Sequence, residues 1–189
     1  KTEEELDELF SGNASYAYSS ALFDYLLDGY EVDVVRRYGG SDKTIFEKMI
    51  SKGLLTDKDE TAFVELLQGK INFARSDELF LAALDKYSTD IIQRYTGNAE
   101  AVFTKAVQKG LKVDFSFFEA RESFVNSNYL VEEAIKNDRT CAGLKISRLS
   151  GNKEEIINTL KLAIGEENYS QVVQSEKIED EIVNLCTIA

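Results

Sequence analysis

The sequence predicts an all-α chain: an α-solenoid of stacked helical hairpins with capping helices at the ends. Three observations carry this expectation. Residues 22–54 recur without a gap 57 positions later as residues 79–111, with 14 of 33 positions identical. Roughly two identities are expected by chance, and self-similarity at a fixed period marks a repeat array. Apolar residues are spaced three and four apart, rarely two, which is the period of a helix face rather than a strand. The 189 residues contain no proline, the residue that breaks helix interiors. One hairpin of two short helices cannot bury its own apolar face, so stacked copies share a core.

The expected organisation is one domain over residues 1–189, with a capping segment at 1–12, copies at about 16–69, 76–126 and 127–175, and a C-terminal cap at 176–189. Thr2 and Glu5 have capping-box spacing for a helix to Phe10 that puts Leu6, Leu9 and Phe10 on one face. Residues 16–29 read as a helix burying Leu22, Phe23, Leu26 and Leu27, with Gly29 suited to a left-handed C-terminal position. Residues 32–38 read as a short helix burying Val34, Val35 and Tyr38. The loop 39–42 resets direction, and Asp42 caps the next helix, over 44–52, with Ile45, Phe46, Met49 and Ile50 inward and Gly53 closing it. A helix from 56–59 to Gln68 buries Phe63, Leu66 and Leu67, and 69–76 is a connection. Ser76 caps the second copy, whose stripe is Leu79, Leu81, Ala82 and Ala83, followed by helices at 89–95, 99–109 and 115–125. A weaker third copy opens at 129–135, turns at 149–152 and continues through Ile156, Ile157 and Leu160. Residues 178–188 form a last amphipathic helix.

Residues 77–95, DELFLAALDKYSTDIIQRY, resemble a degenerate ankyrin repeat. Leu79, Ala82 and Ala83 stand at that family's Leu and Ala-Ala positions and Ile91 and Ile92 at its apolar pair; in the first copy Gly29 stands at its inter-helix glycine, where the second has Lys86. Residues 44–53 keep the Thr, an apolar pair and the terminal Gly, with Met49 where Ala is usual. The Thr-Pro-Leu-His tetrapeptide is absent, and equivalent helices are spaced alternately near 24 and 33. The resemblance spans about two-thirds of the chain and implies a protein-binding helical array; HEAT-like and TPR-like helical pairs fit the same pattern.

With 22 Lys and Arg against 34 Asp and Glu, the formal net charge is −12. That balance argues against a nucleic-acid binder, whose affinity rests on neutralising phosphates, and against an anionic membrane surface. It suits solubility first and a basic partner second. No apolar stretch approaches the ~18 residues of a membrane helix. The sequence opens without Met and without an apolar signal core, as expected of a processed or trimmed chain. The compartment stays open, with cytoplasm or delivery into a host cell favoured over a membrane. Cys141 and Cys186 match no metal spacing; two reduced thiols fit better than a disulfide between the last two copies. Asn13 and Asn168 head glycosylation tripeptides that matter only in a secreted chain.

Histidine is absent, which excludes Ser–His and Cys–His catalysis and most catalytic metal sites. Residues 39–44 read as a turn and N-cap rather than a phosphate loop. Asp57/Asp59 and Glu132/Glu133 read as carboxylates complementing helix starts, not as acid–base pairs, and Asp57-Lys58-Asp59 lacks the rest of a calcium loop. Neither metal nor cofactor is expected. The recurring pairs Arg37-Tyr38 and Arg94-Tyr95 suit either a grip on an acidic or phosphorylated partner or, preferred here, a Tyr packed between hairpins with its Arg paired to Asp33 or Asp90. Phe115, Phe117, Phe118, Phe124 and Tyr129 read as core filling before docking patch, although Phe117 and Phe118 cannot share one direction.

The expected role is a non-enzymatic protein–protein interaction module, in the manner of an effector, an inhibitor or immunity protein, or an adaptor. Its contact residues are expected in the inter-hairpin loops: Gly40, Ser41, Asp42, Lys43, Lys70, Asn72, Arg75, Asn98, Glu100, Asn152 and Lys153. A regulatory or scaffold domain of a larger enzyme is the alternative, and a carboxylate-based enzyme a distant third.

Overall fold

The computed structural model describes residues 3–30, 32–149 and 152–188, which are helical with no strand among them. The chain divides into two compact units, one ending at Ala106 and the other beginning at Val107.

The first unit opens with α1 (Glu3–Gly12), which buries Leu6 and sets Phe10 against Phe23. Thr2, the expected cap, lies outside the described residues. The expected helix over 16–29 is interrupted. A 3-10 turn (Ala14–Tyr18) ends at Ser19, which is extended and accepts the Leu22 N–H on its hydroxyl to start α2 (Ser20–Gly29). A serine oxygen satisfying a free N–H of the first turn is a strong helix start, and here it overrides an apolar pattern that runs through. Gly29 ends α2 without a left-handed φ; among the described residues the positive-φ glycines are Gly53, Gly69, Gly110 and Gly165. Residues Val32–Arg37 form a 3-10 turn, and α3 (Lys43–Ser51) starts from Asp42, whose carboxylate accepts the Thr44 N–H at 3.0 Å.

Asp59 caps α4 (Glu60–Leu67). The expected connection at 69–76 contains α5 (Ile71–Ala74), driven by the full burial of Phe73. Ser76 caps α6 (Asp77–Lys86), a 3-10 turn follows at Thr89–Arg94, and then α7 (Glu100–Gln108), inside which the division between units falls. In α6 the buried face is Leu79, Phe80, Ala83 and Leu84; Leu81 and Ala82, expected inward, are half-buried.

Three elements of residues 20–51 return with identical lengths 57 residues on, α2 as α6, Val32–Arg37 as Thr89–Arg94, and α3 as α7. The contacts return as well. Gly39 N–H donates to the Ala17 carbonyl at 2.7 Å and Thr96 N–H to that of Ala74 at 2.8 Å. Lys48 pairs with Asp28 at 2.9 Å and Lys105 with Asp85 at 2.7 Å. The ring of Tyr38 lies 4.8 Å from Phe23 and 5.8 Å from Phe46, and that of Tyr95 lies 4.9 Å from Phe80 and 5.5 Å from Phe103. Phe73 continues the first series at 5.1 Å from Phe46, so two series of touching rings run through the otherwise aliphatic core of this unit. Such pairs add to the burial of their own large surfaces.

In the second unit, α8 (Phe115–Glu119) and a 3-10 turn (Glu122–Asn126) replace the single helix expected over 115–125. Phe118 and Phe124 are buried, whereas Phe115 is exposed. Ser127 caps α9 (Asn128–Asn137), which is followed by the turn Arg139–Cys141 and α10 (Ala142–Ile146). The expected loop at 149–152 lies partly outside the described residues. Asn152 caps α11 (Lys153–Ile164), Gly165 turns the chain into α12 (Glu166–Val172), and α13 (Glu176–Ile188) closes the unit. Cys141 is buried and Cys186 half-buried, and both are free.

Candidate functional site

The first unit holds an open cleft of about 740 Å³, framed by residues 17–18, 37–41 and 69–75. Five of the residues expected from sequence line it: Gly40, Ser41, Lys70, Asn72 and Arg75. Its construction follows from the buried Tyr38. The ring of Tyr38 folds back over Gly40, where a Cβ would sit 2.5 Å from its hydroxyl oxygen, and that oxygen accepts the Asp42 N–H at 3.0 Å. Tyr95, Gly97 and the Ala99 N–H repeat the arrangement, the N–H lying 3.0 Å from the Tyr95 hydroxyl. Glycine at the second position after the tyrosine is thus required by close approach.

Asn72 fastens the far wall. Its side-chain amide donates to the Gly40 carbonyl at 2.6 Å and to that of Tyr38 at 3.3 Å. Next to it the Lys70 ammonium donates to the Tyr38 carbonyl at 3.4 Å and lies 5.1 Å from the centre of the Phe73 ring. Burial pushes the Lys70 pKa below the usual lysine value, because desolvation disfavours the charged form. Arg37, at the rim, donates its Nε–H to Asp7 of α1 at 2.5 Å, and its Nη2 also pairs with Asp7. It reaches Asp7 rather than the expected Asp33, which pairs loosely with Arg36 at 3.9 Å. Tyr38 and Tyr95 are buried as expected; among the described residues Asp90 and Arg94 form no ion pair.

The remaining expected residues lie elsewhere. Asp42 is occupied as the cap of α3, and its carboxyl is held below the usual range, first by the Thr44 hydroxyl. Lys43 stands over a shallower groove beside α3 and α6, 3.7 Å from Glu47 and 3.6 Å from Glu78. Asn98 and Glu100 are exposed at the start of α7. In the second unit Asn152 caps α11, and Lys153 pairs with Asp180 at 2.5 Å and Glu179 at 3.5 Å, which ties α11 to α13.

The lining residues outside that expected set include Tyr18 and Ile71. Both are apolar enough to read as core, yet each is 67% exposed. No group of three or more metal-ligating side chains forms among the described residues, and no helix is long and apolar enough to cross a membrane. In comparisons with protein families, with curated proteins and with solved structures, no match was found.

Proposed function

We propose that this chain is a non-enzymatic protein-binding module built from repeated helical hairpins, ankyrin-like in plan, and that it engages its partner at the cleft between residues 37–41 and 69–75. The observation that carries the reading is the cleft itself. It lies where the loop inside the first copy meets the lead-in to the second, and it gathers five of the expected contact residues. Its walls are fixed by the Asn72 amide and the buried Tyr38 ring, so the surface is preformed, which limits the ordering entropy lost on binding. The recurrence of elements and contacts at 57 residues supports the repeat reading. An effector, an inhibitor or immunity protein, and an adaptor are all compatible with such a surface.

Affinity capture from the native source, comparing the wild-type chain with Asn72→Ala and Ser41→Arg variants, tests the proposal. The expected result is a protein retained by the wild type and lost from both variants. Identical retention by all three chains contradicts it.

A further inference from the structure

The proposed role leaves open what chemistry the partner presents. The cleft answers this through an imbalance of charge. Its lining contains Lys70 and Arg75, together with Arg37, which is paired to Asp7, and no carboxylate, in a chain whose formal charge is −12. Several lysines elsewhere are matched to acids, Lys48 to Asp24 and Asp28, Lys105 to Asp85, Lys145 to Glu132, and Lys153 to Asp180, whereas Lys86 donates to the Leu55 and Thr56 carbonyls. Lys70 and Arg75 have no carboxylate partner among the described residues. Lys70 is also half-buried, and its ammonium rests on the Tyr38 carbonyl oxygen and the Phe73 ring face. A half-buried cation without a counter-charge is unfavourable unless something else supplies one. Exposed apolar side chains, Tyr18 and Ile71, stand in the same cleft, and its volume falls within the range of pockets that hold a few side-chain-sized groups.

Resting on the protein-binding role, we infer that the cleft seats an acidic peptide segment of the partner, with a side-chain oxyanion on Lys70 and Arg75 and a neighbouring apolar residue against Tyr18 and Ile71. Arg forks and lysine ammonium groups both recognise carboxylate and phosphoryl oxygens, so the shared chemistry is an oxyanion on an extended chain. A long polyanion is disfavoured by the acidity of the rest of the molecule.

The test is an NMR titration of the intact chain with inorganic phosphate and with three hexapeptides of one sequence, carrying Leu beside Glu, beside phosphoserine or beside Gln. The Glu and phosphoserine peptides are expected to shift the amides of Gly39, Gly40, Ile71 and Asn72 in a saturable way. The Gln peptide is expected to bind roughly tenfold more weakly or worse, the loss typical of one charge-assisted contact. Whichever of the two acidic peptides binds tighter identifies the source of the oxyanion. Inorganic phosphate, lacking the apolar neighbour, is expected to bind more weakly than either. Lys70→Met and Arg75→Met are each expected to lower peptide affinity by about the same factor, with unchanged circular dichroism and melting temperature. The inference is overturned by equal binding of the Gln and acidic peptides, by shifts scattered over surface lysines rather than the cleft, by binding that survives both substitutions, or by no saturable shift at all. A captured partner that both Met variants keep, while Asn72→Ala and Ser41→Arg lose it, removes the oxyanion and leaves the protein-binding role standing. Specific binding of the acidic peptides with no partner captured has the opposite meaning.

Discussion

Replacing Gly40 with alanine is the sharpest perturbation of the cleft. The new Cβ would lie 2.5 Å from the Tyr38 hydroxyl oxygen, 2.7 Å from Cζ and 2.8 Å from Cε2, against an optimal separation of ~3.5–4.0 Å. The ring must therefore move by about 1 Å. It has nowhere to go, being fully buried between Phe23 and Phe46. Overpacking of this kind costs about 1–3 kcal/mol, and a displaced ring weakens the hydrogen bond from the Asp42 N–H, worth ~1 kcal/mol. The total is about 2–4 kcal/mol, or a fall in melting temperature of roughly 5–15 °C for a chain of this length. Gly97→Ala is expected to cost a similar amount, because Tyr95 covers Gly97 in the same way. Trimming Tyr38 to Phe should not rescue Gly40→Ala, since the clash with Cζ remains. Gly29→Ala is the control: nothing lies within 4 Å of its added Cβ and φ is not positive, so it should be neutral or stabilising by up to ~1 kcal/mol. Urea denaturation followed by circular dichroism reads all four variants. A midpoint for Gly40→Ala or Gly97→Ala equal to that of the wild type would refute the reasoning, because it would mean the tyrosine ring does not rest on the glycine.

Two further outcomes follow from the helix starts and from the buried tyrosines. Ser19, Ser76 and Ser127 each cap a ten-residue helix. Substitution by Ala should cost ~0.5–2 kcal/mol at each, with the larger losses at the buried Ser76 and Ser127, as measured by denaturant midpoints. Burial, aided by the hydrogen bond to Glu179, pushes the Tyr169 phenol up to about 12, and burial pushes the Cys141 thiol up to about 11. The folded state thus holds these protons more tightly than the unfolded chain does. Their contribution is complete below the unfolded values and is lost as pH rises through the folded ones. Stability should therefore decline from about pH 9 to about pH 12. In Tyr169→Phe, which has no proton to lose there, the decline should be shallower, and a drop as steep as that of the wild type would contradict the assignment.

Much of the fold is legible in the sequence because burial follows helical spacing. Phe23, Leu26, Leu27, Ile45, Phe46 and Met49 are inward as their positions predict, and Asp42 caps where its side chain suits it. What escapes has a physical cause in each case. The break at Ser19 is hidden because apolar residues continue on either side, although Ser19 and Ser76 stand 57 apart in sequence and could have revealed it. The helix α5 is carried by one buried ring, Phe73, too little to form a periodic pattern. The partner of Arg37 lies 30 residues away in α1, beyond any local rule. At the cleft, Lys70, Asn72 and Arg75 are visible as polar loop residues, whereas Tyr18 and Ile71 carry no polar-loop signal. Asn152 and Lys153 carried the same polar-loop signal, yet they serve a helix cap and ion pairs to α13. Polarity in a loop does not distinguish a binding group from a structural one; only its tertiary partners do.

The location of the binding surface is tested most directly by hydrogen–deuterium exchange of the chain with and without its captured partner. The amides of residues 37–43 and 69–76 should gain protection first and most. Protection confined to other segments, such as 176–188, with the cleft exchanging at its free rate, would contradict the account.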